Sequence, residues 1–344
     1  QYKVFRHLCS TGEIKVTDPT FVRMEKLFDK AIPDEDKILI GFGLGFIYDK
    51  NKDYKKAFKY IDKANEIQNN KINYTSDIIK IKEETIHQYE KLLKKQFSFY
   101  DDNKPIFIVG MPRSGTSMIE KVLGNNSKVD EMGELVTLNN IITAKRKNNV
   151  NWPMNISTLD QEDINEFRNE YMRVIHEINP KIKKIFIDKM PGNFLHIGLI
   201  KKIFPDSIII NTTRDPLDTC LSIYFLKFPD KHRYSFNLKN LGEYYINYKN
   251  IMSFWKKKFP NQIYSLNYEK FINDPKEETK NLYKFCKLNY EENNERFDLN
   301  KKITRTASSH QVREKIKKKS FKRWKNYKEE LKELIKIFEN NKGA

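Results

Sequence analysis

The chain has 344 residues, enough for one large domain or two modest ones, and its 39% hydrophobic residues allow a buried core. A net charge of +18 favours anionic partners, but lysine is abundant from end to end, so we interpret most of the charge as solvated surface. No apolar run approaches the length of a membrane span, and we find no signal peptide. Three widely spaced cysteines form neither a metal-binding pattern nor a disulfide framework, which favours a reducing compartment such as the cytoplasm.

Residues 1–100 are predicted to be helical, and the start at Gln1 rather than Met leads us to expect that the natural N-terminus lies upstream. A unit between residues 38 and 71 matches the tetratricopeptide pattern. Its core and small-residue positions are occupied by Leu44, Gly45, Tyr48, Ala57 and Ala64. A generic helical hairpin is the alternative. A polar segment that ends at Pro105 is a natural boundary, so we expect a helical repeat domain over 1–100 and a second domain over 105–344.

The next stretch predicts a buried strand, a glycine-framed loop and a helix. Residues 106–109 are apolar, Gly110 ends the strand, and residues 118–123 begin the helix. Such an arrangement makes an anion site, because unpaired backbone N–H groups and the helix dipole point into the loop. Gly110 and Gly115 have the spacing of a P-loop, but Thr116 stands where its lysine belongs and Arg113 comes earlier. A strand–turn–helix that binds no ligand is the alternative.

Three further strands are predicted at 185–187, 207–211 and 262–267, with helices between them at 161–178 and 195–204. Alternating strands and helices indicate an α/β fold in which a P-loop-type parallel sheet carries helices on both faces, preceded by the all-helical region. Ligands bind such sheets at the carboxyl ends of the strands. Four polar side chains follow directly on predicted strand ends, which indicates a single site: Arg113, Lys189, Arg214 and Tyr268.

Together these motifs resemble the sulfotransferases that use 3′-phosphoadenosine 5′-phosphosulfate (PAPS), over residues 105 to about 330. The resemblance is to the bacterial group with tetratricopeptide repeats before the transferase domain, which is similar to the protein-tyrosine sulfotransferases. It implies that the P-R-S-G-T loop and the next residue bind the 5′-phosphosulfate, that Arg214 and Ser222 bind the 3′-phosphate, and that Tyr268 and Arg323 contact the nucleotide. The loop residues concerned are Pro112, Arg113, Ser114, Gly115, Thr116 and Ser117.

The same resemblance implies the catalytic residues. The Gly-Glu pair after the P-loop helix supplies the general base, which is Glu134 here. Lys189 in D-K-M-P, Arg113 in the loop and Ser308 in S-x-x-Q-V lie near the transferring group. The segment before Gly133 is more acidic than the family pattern, which leaves Glu131 as a substitute base. The fallback bases are His196 and His232.

We therefore expect transfer of a sulfuryl group from PAPS to an acceptor hydroxyl, with a carboxylate base and no metal. A P-loop nucleotide kinase is the first alternative, although a kinase would be expected to use the missing lysine and a metal-binding acid. The second is a repeat-based protein-binding module with an inert transferase half. Nucleic-acid binding comes third, because no aromatic and basic recognition motif accompanies the charge. The sequence leaves open the acceptor (a peptide tyrosine, a sugar or a small alcohol), a homodimer, and a protein partner for the repeats.

Overall fold

A computed structural model describes residues 2–11, 14–72, 74, 78–98, 103–146, 155–229, 232–296 and 321–341. The strands in these ranges are β1 (Ile106–Gly110), β2 (Val129–Glu131), β3 (Ile185–Asp188), β4 (Ile208–Thr213) and β5 (Ile263–Asn267). The α-helices are α1 (Tyr2–Thr11), α2 (Pro19–Phe28), α3 (Asp34–Lys50), α4 (Tyr54–Lys71), α5 (Ile78–Leu93), α6 (Thr116–Gly124), α7 (Thr137–Arg146), α8 (Gln161–Ile178), α9 (Ile197–Ile203), α10 (Pro216–Tyr224), α11 (Leu238–Lys258), α12 (Tyr268–Asn273), α13 (Pro275–Phe285) and α14 (Lys332–Asn340). Short 3₁₀ helices occur at Ile156–Thr158, Pro191–His196, Arg233–Phe236 and Arg323–Tyr327.

The chain divides into two compact units. The helical unit comprises Gln1–Ser76, Asp215–Ile246 and Lys319–Ala344, and the sheet unit comprises Asp77–Arg214 and Asn247–Lys318. The units follow contacts rather than chain order, and α5 accordingly belongs to the sheet unit. The division at about residue 100, which follows chain order, stays a prediction.

In the helical unit, α3 and α4 form a hairpin where the sequence predicts one. The side chain of Asp53 caps α4 by accepting the backbone N–H of Lys56 at 3.2 Å. A side chain at Gly45 would place its Cβ 2.5 Å from Ile61 on α4, so the close approach of the two helices depends on the small residue. Ala57 and Ala64 are fully buried in the same contact region. The assignment of the hairpin to a tetratricopeptide repeat stays a prediction.

The sheet unit is built on five parallel strands in the order β2–β3–β1–β4–β5. The apolar residues of β1 are fully buried, as expected of a strand covered on both faces. The four strands that the sequence predicts are all present, and helix α8 has the predicted bounds. The predicted helix over 195–204 is shorter, because a 3₁₀ helix extends to His196 and α9 begins at Ile197. The fold is therefore the expected α/β class.

Strand β2 was missed from the sequence. It has three residues, two of them acidic, so it carries no apolar run that would indicate a strand. It pairs with β3 at one edge of the sheet, where a short strand needs only one partner. Strand β2 is parallel to β1, so the segment that follows β2 and the P-loop that follows β1 both lie at the carboxyl ends of the strands.

Within the described ranges, no helix is both long enough and apolar enough to cross a membrane. The three cysteines, Cys9, Cys220 and Cys286, are free and buried. The strand order reverses beside β1, which lies between β3 and β4. Ligands of open parallel sheets bind where the order reverses, outside the carboxyl ends of the strands.

Candidate active site

The loop between β1 and α6 has a backbone that only glycine accommodates at one point. Gly115 has a φ of +104°, and a Cβ there would lie 2.7 Å from Cδ2 of Tyr268. Gly115 is also the N-cap of α6, so no side chain caps this helix. The first N–H groups of a helix have no acceptor within it, and together with the helix dipole they attract an anion. The loop therefore has the backbone of an anion site.

Two polar side chains of the loop, Ser114 and Arg113, differ in burial. Ser114 is 1% exposed, and its Oγ donates to the carbonyl oxygen of Met111 at 2.7 Å. The same hydroxyl is 2.7 Å from Thr212 Oγ1, so it ties the loop to β4. Arg113 is partly exposed and has a φ of +69°, which directs the chain around the turn. The side chain of Ser114 thus fixes the shape of the loop.

Arg214 follows β4 directly and is held against the loop. Its Nη1 donates to the carbonyl oxygen of Arg113 at 3.2 Å. Its guanidinium carbon lies 5.0 Å from the ring centroid of Tyr268, the first residue after β5. The Tyr268 ring thus contacts both Gly115 and Arg214. Three of the predicted site residues therefore surround the start of α6.

Glu134 lies three residues after the end of β2, and Lys189 lies one residue after the end of β3. Their side chains form an ion pair. Lys189 Nζ donates to Glu134 Oε1 at 2.7 Å. The lysine side chain is fully buried, whereas that of Glu134 is 39% exposed. The backbone N–H of Lys189 also donates to the carbonyl oxygen of Gly133 at 2.9 Å. The predicted base and the predicted lysine are therefore adjacent, and the base faces solvent.

The other candidate bases have less suitable surroundings. Glu131 is paired with Lys121 at 2.6 Å, and both side chains are at most 5% exposed. Burial lowers the pKa of His196 to about 4, so its imidazole is neutral at pH 7 and weakly basic. His232, in the helical unit, is bonded through Nδ1 to the hydroxyl of Tyr234 at 3.2 Å. Glu134 is the carboxylate of this set that combines exposure with a lysine partner.

A cavity of about 1090 Å³ opens beside Glu134. It lies between α7 and α8, and its walls mix apolar and polar side chains. Its lining includes Glu134, Val136, Glu162 and Ile178. Val136 and Ile178 are 47% and 57% exposed. A cavity of this size is large enough to hold a small molecule.

The sequence model of the sulfotransferase family matches residues 105–292, more than half of the 344 residues. The chain belongs to the sulfotransferase family. The matched residues include the loop, Glu134, Lys189, Arg214 and Tyr268. The site that the geometry brings together therefore lies within the family's own domain.

This chain is similar to an uncharacterized protein of Aquifex aeolicus, with 31% identity over 95% of its own length and 45% of that protein. It is 24% identical to a putative protein-tyrosine sulfotransferase of Caenorhabditis briggsae over 54% of its own length and 66% of that protein. The chain thus spans about half to two thirds of these relatives. Among solved structures, the chain is similar to the sulfotransferase domain of the Synechococcus PCC 7002 olefin synthase, with 15% identity and a TM-score of 0.46. The superposition covers 67% of this chain and 91% of that domain.

The geometry above does not test three of the predicted residues. Ser222, on α10 of the helical unit, is partly exposed. Arg323, also in that unit, pairs with Asp49 at 2.9 Å and lies over the ring of Phe225. Ser308 lies outside the described residues. The roles of all three stay predictions.

One residue of the site was not found from the sequence. Glu120 on α6 is 2% exposed, and its Oε1 accepts the backbone N–H of Gly133 at 2.9 Å. Its Oε2 lies 4.0 Å from Lys189 Nζ. The signal was a pair of charged residues, Glu120 and Lys121, between the apolar Ile119 and Val122 of the P-loop helix. Its partners are remote in sequence, so the pattern alone did not identify them.

Proposed function

We propose that this sulfotransferase moves the sulfuryl group of PAPS to an acceptor hydroxyl, with Glu134 as the general base. The observation that carries the proposal is the ion pair between Glu134 and the buried Lys189. It lies at the carboxyl ends of the strands, as the anion loop does. A general base must reach the proton that it removes, and Glu134 is the exposed member of the pair.

The residues present suit PAPS. The uncapped start of α6 would hold the 5′-phosphosulfate through the backbone of residues 112–117, with Arg113 as a nearby cation. Arg214, fixed by the Arg113 carbonyl oxygen and by Tyr268, offers a guanidinium, which binds phosphate well. We assign it to the 3′-phosphate and Tyr268 to the nucleotide. Ser222 and Arg323 are assigned to the cofactor by the resemblance alone.

PAPS supplies an activated sulfuryl group. The acceptor oxygen forms a bond to sulfur, the bond from sulfur to the phosphate oxygen of the cofactor breaks, and Glu134 takes the hydroxyl proton. Lys189 and Arg113 are the cations available to offset negative charge that develops during transfer. Ser308 is assigned as a hydrogen-bond donor to the transferring group. A sulfuryl group carries less charge than a phosphoryl group, so we propose that these side chains suffice without a metal.

The cavity beside Glu134 is where we place the acceptor. Its exposed apolar residues, Val136 and Ile178, suit an acceptor that has an apolar part beside its hydroxyl. A peptide tyrosine, a sugar and a small alcohol remain the three acceptor classes. We also propose a cytoplasmic location, which the free and buried cysteines support, and assign to the α3–α4 hairpin the binding of a protein partner.

The test is transfer of ³⁵S from labelled PAPS to three probes: a tyrosine-containing peptide, a methyl glucoside and 4-nitrophenol. We expect wild-type protein to label at least one probe in the presence of EDTA. Glu134→Gln should abolish most of this transfer, whereas Glu162→Gln, which changes another carboxylate of the same cavity, should retain it. Labelling that requires Mg²⁺, or phosphate transfer from labelled ATP instead, would favour the nucleotide kinase.

A further inference from the structure

Glu120 connects the two backbone segments that carry the proposed base and its lysine. Its Oε1 accepts the N–H of Gly133, the residue before Glu134, and its Oε2 lies 4.0 Å from Lys189 Nζ. Lys189 in turn donates its ammonium to Glu134 and its backbone N–H to the Gly133 carbonyl oxygen. One carboxylate therefore contacts both the turn that carries the base and the cation that pairs with it.

A carboxylate in this position is costly, because its charge is removed from water. Glu120 is 2% exposed, and burial raises its pKa to about 7. The charged groups that face it are Lys189 and Lys121, which favour its ionised form, and Glu131, which disfavours it. Glu120 is not among the residues that line the acceptor cavity, whereas Glu134 is. Its contacts thus point to other protein groups rather than to the acceptor.

We propose that Glu120 is a positioning residue: it holds the turn that carries Glu134 through the Gly133 N–H, and it lies beside Lys189, which pairs with Glu134. The inference rests on the proposed function, in which Glu134 is the base. A buried oxygen that keeps the Gly133 N–H bonded limits the movement of the turn, so Glu134 stays within reach of the acceptor hydroxyl.

Two variants separate the hydrogen bond from the charge. Glu120→Gln keeps an oxygen acceptor for the Gly133 N–H but removes the charge, and Glu120→Leu removes both. The first readout is hydrogen exchange of the Gly133 amide in ligand-free protein, relative to the amides of β1. The second is steady-state turnover, compared with the affinity for 3′-phosphoadenosine 5′-phosphate, the product of PAPS. Glu131→Gln is the control, since it removes a neighbouring buried carboxylate that pairs with Lys121 instead.

We expect Glu120→Leu to accelerate exchange of the Gly133 amide by roughly 10- to 100-fold, the range for a lost hydrogen bond to a charged acceptor. Glu120→Gln should retain most of the protection. Turnover should fall in Glu120→Leu and recover in Glu120→Gln, while the affinity for the nucleotide product stays unchanged in both. The control should leave the Gly133 amide unchanged.

Equal Gly133 exchange in Glu120→Leu and wild type would overturn the inference, as would full turnover of Glu120→Leu. The exchange readout uses ligand-free protein, so it is independent of the proposed function. Full turnover of Glu134→Gln would overturn the proposed function itself, and with it any catalytic role for Glu120.

Discussion

Replacing Gly115 with alanine tests whether the loop between β1 and α6 is the cofactor site. The residue has a φ of +104°, and a Cβ would lie 2.7 Å from Cδ2 of Tyr268. Holding a side chain in such a sparsely populated conformation costs roughly 1–3 kcal/mol. Forcing a methyl group into a packed contact costs roughly another 1–3 kcal/mol. We therefore expect a total effect of about 2–6 kcal/mol, shared between stability and ligand binding.

The assays are chemical denaturation and calorimetric titration with 3′-phosphoadenosine 5′-phosphate (PAP), the product of PAPS. Gly115→Ala should lower both the free energy of unfolding and the affinity for PAP. Gly192→Ala is the matched control, because a Cβ there meets nothing within 4 Å. In a Tyr268→Ala background the steric part should disappear, so the stability effects of the two changes should not add. A Gly115→Ala protein as stable and as tightly binding as wild type would refute the reasoning.

Three further predictions concern the base, the cavity and pH. Glu134→Gln should lower turnover by roughly 10²- to 10⁴-fold with PAP affinity retained, while Glu131→Gln should affect stability more than turnover; the reverse pattern in steady-state kinetics would place the base elsewhere. Ile178→Asp should raise the KM for the acceptor without changing PAP affinity, and an unchanged KM would remove the cavity as the acceptor site. Because the pKa of Glu120 is raised to about 7 in the folded protein, the folded state retains a proton that the unfolded state releases. Between pH 4.5 and 7 the free energy of unfolding should therefore fall in wild type by on the order of 2–3 kcal/mol more than it falls in Glu120→Gln. If the unfolding free energies of the two proteins run parallel across this pH range in chemical denaturation, the assignment is contradicted.

Local patterns predicted the parts of this fold that depend on local physics. Helix α8 has apolar residues at helical spacing and begins with a capping box between Asp160 and Asp163, so its bounds could be predicted. The loop at Gly115 was recognisable because its glycines and hydroxyls follow a buried strand directly. These features depend on residues that are adjacent in the sequence.

The remaining features depend on contacts between distant segments. Strand β2 is stabilised by β3 rather than by its own apolar content, since two of its three residues are acidic. Glu120 has its role through Gly133 and Lys189, and no spacing in the sequence relates these three residues. The side chain of Ser114 lies within hydrogen-bond distance of Thr212 on β4, a contact that the loop motif does not reveal.

Calorimetric titration with PAP in EDTA tests the central claim most directly, because it needs no knowledge of the acceptor. We predict that wild-type protein binds PAP without metal, and that Arg214→Ala weakens this binding by roughly 10- to 100-fold, as expected for a charged hydrogen bond. The same variant should bind ADP, which lacks the 3′-phosphate, as wild type does. Nucleotide binding that requires Mg²⁺, or equal weakening of PAP and ADP by Arg214→Ala, would contradict the account.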